Sequence, residues 1–453
     1  MFGFSALFEV LGASKAHRLL EANQQRFAKM NAKTFSMSNM GKTSIYTIEP
    51  ENVKAMLATH FQSWSLPELR KTAFYPLFGH GIFTNDGAAW KHSREMLKPS
   101  FNRNEIGNVD MLERHAANLI RAIRTQQHQD SIDLHDLFFR LTTDFATEYL
   151  LGEATDSLEK GAEDGFNEAF EGSMKHIGEV SRIGRLGLLI GRNKFLQQKS
   201  YLHAFVDRYV VQALERQQRG EKHTRHTFLE ELVQQTSDVV TIRSELLNIL
   251  LAGRDTTASL LTNIWHILAQ RPDIVARLRE EIASNLPAEG TLPTFEDLKG
   301  LPYLSAVFKE MLRLYPVVPL NSRQATVSTT LPKGGGSDGL EPVFIGKGQL
   351  VIYSTYAMHR DVDVFGDDAD VCRPERWLDG DDEKGLRPGW AYIPFNAGPR
   401  ICLGQQLALT EASYVTVRLL QEFGSVEPRD DKPWTESLGL TCVNKFGAKV
   451  ALF

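Results

Sequence analysis

Cysteine is scarce: Cys372, Cys402 and Cys442 are the only three in 453 residues. They stand far apart with no Cys-x-x-Cys pair, so neither a disulfide framework nor a zinc site is expected. No Asn-x-Ser/Thr sequon occurs. Both absences point to a reduced, cytosol-facing chain. Excess basic charge is missing too: 51 Lys plus Arg face 56 Asp plus Glu, a net charge of −5. That leaves no nucleic-acid footprint. Long apolar runs are also absent. The opening stretch from Met1 to Gly12 is too short to span a bilayer, and Glu9 interrupts it. It lacks the basic flank of a signal peptide. Phe2, Phe4, Leu7 and Phe8 are read either as an interfacial patch or as part of a core.

What is present reads as an ordinary globular chain, 42% hydrophobic and 24% charged. Length alone would allow two or three domains. Residues 14–31 read as a helix, and Thr43 to Glu49 as a strand ending at Pro50. Gly41-Lys42-Thr43 imitates the end of a phosphate loop, but Ser36 stands where its first glycine belongs, so that motif is rejected. Leu77 to Gly87 reads as a loop rich in glycine and aromatics. Residues 110–235 read as mainly helical, with Gly161, Gly165, Gly172, Gly178, Gly184 and Gly187 marking mobile inter-helix loops. Lys333 to Gly339 reads as a flexible loop, Leu350 to Ser354 as a strand, and Asn444 to Gly447 as the centre of a hairpin.

Two long helices carry the chemistry. Arg243 to Gln270 has Leu246, Leu250, Leu260, Ile264 and Ile267 at helical spacing and ends at Arg271-Pro272. Inside it, Ala252-Gly253-Arg254-Asp255-Thr256-Thr257 is a poor segment for a helix interior, which predicts a functional bulge. Leu301 to Tyr315, closed by Pro316, is a second helix, with Glu310 and Arg313 three apart on one face. The third feature is Pro394-Phe395-Asn396-Ala397-Gly398-Pro399-Arg400-Ile401-Cys402-Leu403-Gly404. Glycine and proline break regular structure there, and the following run to Phe423 is apolar at helical spacing. Cys402 therefore sits on a tight loop at a helix N-terminus, where exposed amides and the helix dipole favour a thiolate. A thiolate so held can ligate a metal, haem iron among them.

The Phe-x-x-Gly-x-Arg-x-Cys-x-Gly pattern, here Phe395, Gly398, Arg400, Cys402 and Gly404, resembles the haem-ligand loop of the cytochrome P-450 superfamily. The resemblance extends to Ala252–Thr256 as the oxygen-activation segment, to Glu310-x-x-Arg313 with Arg376, and to Trp90-x-x-x-Arg94. It implies a mainly α fold: an α-rich body with a small β subdomain, with haem b between the long central helix and the cysteine-ligand helix. It also implies one haem domain over residues 1–453. The N-terminal membrane helix usual in eukaryotic members is not found here, so the expectation is either a truncated chain or one held at the membrane only peripherally. Cys402 would be the iron ligand. Phe395, Arg400 and Gly404 would shape the cofactor loop, and Trp90, Arg94 and Arg323 would donate to haem propionates. Asp255 and Thr256 would deliver protons, and Glu310, Arg313 and Arg376 would form a buried structural network. Phe often stands where this chain has Trp377.

The implied activity is hydroxylation of a hydrophobic substrate with O₂ and two electrons from NADPH, passed on by a separate cytochrome P-450 reductase. No nucleic acid is expected as a partner. A membrane surface is, on the cytosolic face of the endoplasmic reticulum. Residues 252–258, 356–360 and 395–420 resemble the fungal alkane and fatty-acid ω-hydroxylase branch. Phe78, Ile82, Phe83, Ala252, Val317, Val318 and Leu320 are the candidate pocket residues. Alternatives are a tailoring oxidase acting on polyketide-type intermediates, a haem-thiolate isomerase or dehydratase, and a non-catalytic haem protein. Retention of Asp255 and Thr256 speaks against the isomerase.

Overall fold

The computed structural model describes residues 4–39, 41–101, 109–161, 165–221, 227–286, 290–378 and 386–453. The chain is mainly helical with small sheets. The principal helices are α1 (Phe4–Lys15), α2 (Leu19–Met30), α3 (Glu68–Phe78), α4 (Gly87–Leu97), α5 (Val109–Gln126), α6 (Leu134–Leu151) and α7 (Gly165–Ile183). They continue with α8 (Arg192–Gln218), α9 (Phe228–Gln235), α10 (Val239–Gln270), α11 (Pro272–Asn285), α12 (Pro302–Leu314) and α13 (Gln405–Glu422). The strands are β1 (Thr34–Asn39), β2 (Lys42–Thr47), β3 (Trp64–Ser65), β4 (Ile132–Asp133), β5 (Leu320–Ala325) and β6 (Thr329–Gly335). After them come β7 (Glu341–Ile345), β8 (Leu350–Ser354), β9 (Val426–Pro428), β10 (Glu436–Leu438), β11 (Cys442–Asn444) and β12 (Lys449–Leu452).

Two compact units emerge from this order. The first comprises residues 1–67, 302–402 and 432–446. Its sheet runs β1-β2-β8-β5-β3, with β2 and β8 parallel and the other pairs antiparallel. Ile45, Val351, Tyr353, Met358 and Ile393 fill the core beneath it. The second unit comprises residues 68–301, 403–431 and 447–453. Its centre is α10, buried on nearly every face even though Glu245, Asn248, Arg254 and Asp255 stand among its apolar residues. Trp265 of α10 is fully buried and meets Phe138 of α6 at 6.4 Å between ring centroids.

Several sequence expectations need correction. The helix expected over 14–31 is broken: α1 ends at Lys15, and His17 takes φ 55° before α2 begins. The cause lies far away in sequence. The Glu436 carboxylate accepts from the amides of Leu19 (2.6 Å) and Leu20 (2.8 Å), capping α2. Thr34–Asn39 is a strand that the sequence reading missed. Gly172 and Gly178 lie inside α7 rather than in a loop. A Cβ on Gly172 would collide with Gln198 of α8, so that glycine permits helices to approach. Lys333 to Gly335 belong to β6, not to a flexible loop. The C-terminal hairpin joins β10 to β11 across Gly439 to Thr441. The chain after Asn444 instead leads to β12, which pairs with β4 and β9. The bulge expected in α10 is absent: residues 252–257 are continuous α-helix.

Phe2 and the side chains of Phe4 and Leu7 lie outside the described residues. Phe8 is 70% exposed on α1, so it packs in no core. Among the described residues, no helix is long and apolar enough to cross a membrane.

Candidate active site

In the first unit the cysteine loop is fixed by local geometry. The Cys402 amide donates to the Phe395 carbonyl at 3.0 Å, and that of Ile401 to Gly398 at 3.0 Å. Gly398 sits at φ 67°, and a Cβ there would collide with the Leu57 carbonyl. Only glycine meets both demands. Asn396 also takes a left-handed conformation, φ 62°. It is tied down by the Tyr353 hydroxyl, which donates to its Oδ1 at 3.0 Å, and by its own Nδ2, which donates to the Arg400 carbonyl at 3.3 Å. Sequence reading missed Asn396; asparagine's tolerance of this conformation was the available signal. Cys402 is exposed at the loop's end. Gly404 then starts α13 with no side-chain cap and no acidic residue in the first turn.

Behind this loop, Glu310 and Arg313 of α12 form a fully buried bidentate pair, both bonds 2.8 Å. Arg376 reaches Glu310 at 3.0 Å, and the Arg373 amide donates to it at 2.9 Å. Trp377 Nε1 donates to the other Glu310 oxygen at 2.8 Å. Phenylalanine could not make that bond, so the indole adds a donor. Burial pushes the Glu310 carboxyl up, but Arg313, the Arg373 amide and Arg376 outweigh it and hold it below the usual carboxylate range. Arg313 also donates to the His359 carbonyl at 2.9 Å. The His359 ring in turn accepts the Ile393 amide at 3.0 Å. Burial lowers the His359 pKa to about 3, which keeps the ring a neutral acceptor. A continuous chain of bonds thus runs from α12 to the start of the cysteine loop. The part played by His359 was not visible in the sequence.

Arg323 is buried on β5. Its Nη1 donates to the Ser322 carbonyl (2.8 Å) and Asn321 Oδ1 (3.2 Å), while its Nε has no partner. Val317 is buried, Leu320 is half-buried and Val318 is 37% exposed.

In the second unit, Arg254 and Asp255 of α10 are both buried, joined by a 2.5 Å ion pair. Arg254 also holds Thr143 of α6 (2.9 Å) and Asn167 (2.8 Å) and Glu171 (3.0 Å) of α7. Burial pushes the Asp255 carboxyl up and Arg254 opposes it. Thr256 faces elsewhere. With Ala252 and Gly253 it forms the less buried face of the segment, and its hydroxyl donates to the Ala252 carbonyl at 2.6 Å. Asp255 and Thr256, though adjacent, therefore point to different surroundings. On α4, Trp90 is buried and the Arg94 guanidinium lies 5.8 Å from its ring centroid. Phe78 is not in the loop as expected; it ends α3, fully buried against Phe74 at 5.7 Å. Ile82 and Phe83 lie in the following loop, Ile82 buried and Phe83 half-buried.

The cytochrome P-450 family profile matches residues 4–446. The chain belongs to the cytochrome P-450 family. Cytochrome P-450 52A5 of Candida maltosa is 44% identical over all of this chain and 89% of its own length. Cytochrome P-450 52A1 of Candida tropicalis is 46% identical over 93% of this chain and 80% of its own. Cytochrome P-450 monooxygenase himC of Aspergillus japonicus is 40% identical over the whole chain and 81% of its own length. As a cytochrome P-450 monooxygenase the protein uses a haem-thiolate cofactor, O₂ and a redox partner. The residues present fit that cofactor. An exposed thiol on a rigid loop suits iron, and the buried, unpartnered Nε of Arg323 suits a carboxylate acceptor.

Proposed function

We propose that this cytochrome P-450 hydroxylates a long apolar chain, an alkane or a fatty acid, at or near its terminal carbon. One observation carries this reading: near full-length similarity to the two 52A relatives, in a chain whose residues 252–258, 356–360 and 395–420 resemble the ω-hydroxylase branch. Bound haem, with a thiolate donating electron density to its iron, supplies the oxygen activation. The chain supplies the rest. Cys402 is the ligand, presented by the Phe395–Gly404 loop with Arg400 in it. Arg323, Trp90 and Arg94 donate to propionates. The Thr256 hydroxyl holds a water beside Ala252, and Asp255 passes protons inward. Asp255 can do so because burial favours its protonated form while Arg254 favours the carboxylate. Glu310, Arg313 and Arg376 keep the cysteine loop in register.

Taken unit by unit, the apolar candidates for contact with such a chain are Ile82, Phe83 and Ala252 in the second and Val317, Val318 and Leu320 in the first. Each buried methylene contributes about 0.8 kcal/mol, so a fatty chain binds without polar anchoring. Selectivity for the chain end needs a narrow passage, and the β-branched Val317 and Val318 are stiff enough to form one. Electrons arrive from NADPH through a separate reductase, at the cytosolic face of the endoplasmic reticulum. Residues 1–453 act as one haem domain.

A second reading, a tailoring oxidase of secondary metabolism, is favoured by the 40% identity to the Aspergillus monooxygenase, little below that to the 52A proteins. Incubation with lauric acid or hexadecane, reductase and NADPH separates the two. The first reading expects a substrate-induced spin-state shift and terminally hydroxylated product. Neither shift nor product, in protein with a normal ferrous–CO spectrum, leaves the tailoring reading.

A further inference from the structure

The Gly79–Asp86 loop lies against Ser244, Glu245 and Asn248 of α10. Asn248 Nδ2 donates to the Phe78 carbonyl at 3.0 Å, and Asn248 Oδ1 accepts the Phe83 amide at 3.1 Å. The approach is close: a Cβ on Gly79 would collide with Ser244, and one on Gly81 with Asn248. Between these two fixed points stands Glu245, only 2% exposed. Its carboxyl faces the Ile82 amide in the loop and the Ser93 hydroxyl of α4, while Oε2 has no partner at all. A buried carboxylate with an unpartnered oxygen is costly when ionised, and far less so when protonated.

We propose that Glu245 is a positioning residue that latches the Gly79–Asp86 loop onto α10, and that the closed loop is favoured most while Glu245 carries its proton. The donors that meet the carboxyl come from the loop and from α4, so ionisation and loop opening favour each other. The direction follows from linkage. Burial raises the closed-state pKa to about 7, opposed by the Ser93 hydroxyl and the Ile82 amide, whereas an opened, hydrated carboxyl returns toward 4.5. A raised pKa means that closure is fully supported below the open-state value and loses that support as pH rises to about 7. Because Ile82 and Phe83 lie on this loop, the latch would govern how substrate reaches them. That consequence rests on the function proposed above; the latch itself does not.

Other titratable groups surround the region. His80, in the loop, bonds Tyr75 and Asn85 rather than α10. His203 of α8 bonds the Leu77 carbonyl at 2.8 Å, and burial lowers its pKa. Arg243 is paired with Asp207 at 2.7 Å, and His92 of α4 is exposed. A Glu245→Gln variant separates Glu245 from all of these, since glutamine keeps an acceptor for Ile82 and cannot ionise.

The test is hydrogen exchange by mass spectrometry on the holoenzyme, following peptides that cover residues 78–85 from pH 5.5 to 8, corrected for intrinsic exchange. In wild type, loop opening should rise by up to roughly tenfold per pH unit until about pH 7, then level off. Glu245→Gln should show an opening that is flat with pH. A flat wild-type profile, or a variant that keeps the wild-type rise, overturns the proposal. No substrate enters the measurement, so a failed latch and a wrong substrate are told apart.

Discussion

Cys402 owes its position to atoms on either side of it. The Phe395 carbonyl takes its amide, Gly398 lets the loop press against the Leu57 carbonyl, and Asn396 bridges Tyr353 to Arg400. Serine at 402 would keep this geometry but replace a soft thiolate by a hard, poorly ionised hydroxyl. Cys402→Ser is therefore expected to abolish the red-shifted Soret band that ferrous haem with CO shows under thiolate ligation. Persistence of that band in the variant would remove Cys402 as ligand. The cysteine itself was legible in the sequence because its neighbours are glycine, proline and arginine at close spacing. His359 was not, because it acts on Ile393, which only folding brings near, and Asn396 was marked by its residue type alone.

At the scale of elements, α10 shows what a polar run inside an apolar helix does. Arg254 and Asp255 do not break the ladder; they turn into a buried cluster with Thr143, Asn167 and Glu171 and so tie α10 to α6 and α7. Propensity predicted a bulge, and tertiary hydrogen bonds outweighed it. Helix α4 has two characters. Trp90, Ser93, Met96 and Leu97 are buried, while Lys91 is exposed and loosely paired with Glu95 at 3.7 Å, and Lys98 beyond the helix end is exposed. Exposed charges of this kind change encounter rates more than stability. If an acidic reductase docks here, Lys91→Glu/Lys98→Glu should slow haem reduction and weaken its salt dependence. Stopped-flow reduction at two ionic strengths checks this, and unchanged rates would exclude α4 as the docking face.

For the whole molecule, the Glu310–Arg313 pair is completely buried, and breaking such a pair strands a charge. Removing the Glu310 carboxylate leaves Arg313 and Arg376 without their shared anion, which costs roughly 3–5 kcal/mol when a buried pair is broken. Glu310→Ala should therefore melt well below wild type and retain little haem. The pH dependence has a definite sign. A carboxyl held below its usual range contributes stability above the unfolded-state pKa and loses it as pH falls through the folded value. The melting gap between wild type and Glu310→Ala should thus be widest near neutrality and narrow in acid. A gap that is absent, or that stays constant with pH, would show that the network contributes no such stabilisation.

By itself, the sequence determined the helical class, the family, the cysteine loop and the spacing of Glu310 with Arg313, because each depends on residues close together in the chain. Tertiary structure alone decided that Glu436 caps α2, that Gly172 lies inside a helix, and that Trp377 and His359 join the support of the loop. It also decided that Glu245 is sealed beneath the Gly79–Asp86 loop. These depend on atoms that are distant in the chain and adjacent only after burial, where an unmet hydrogen bond or an unpaired charge is expensive enough to select one partner.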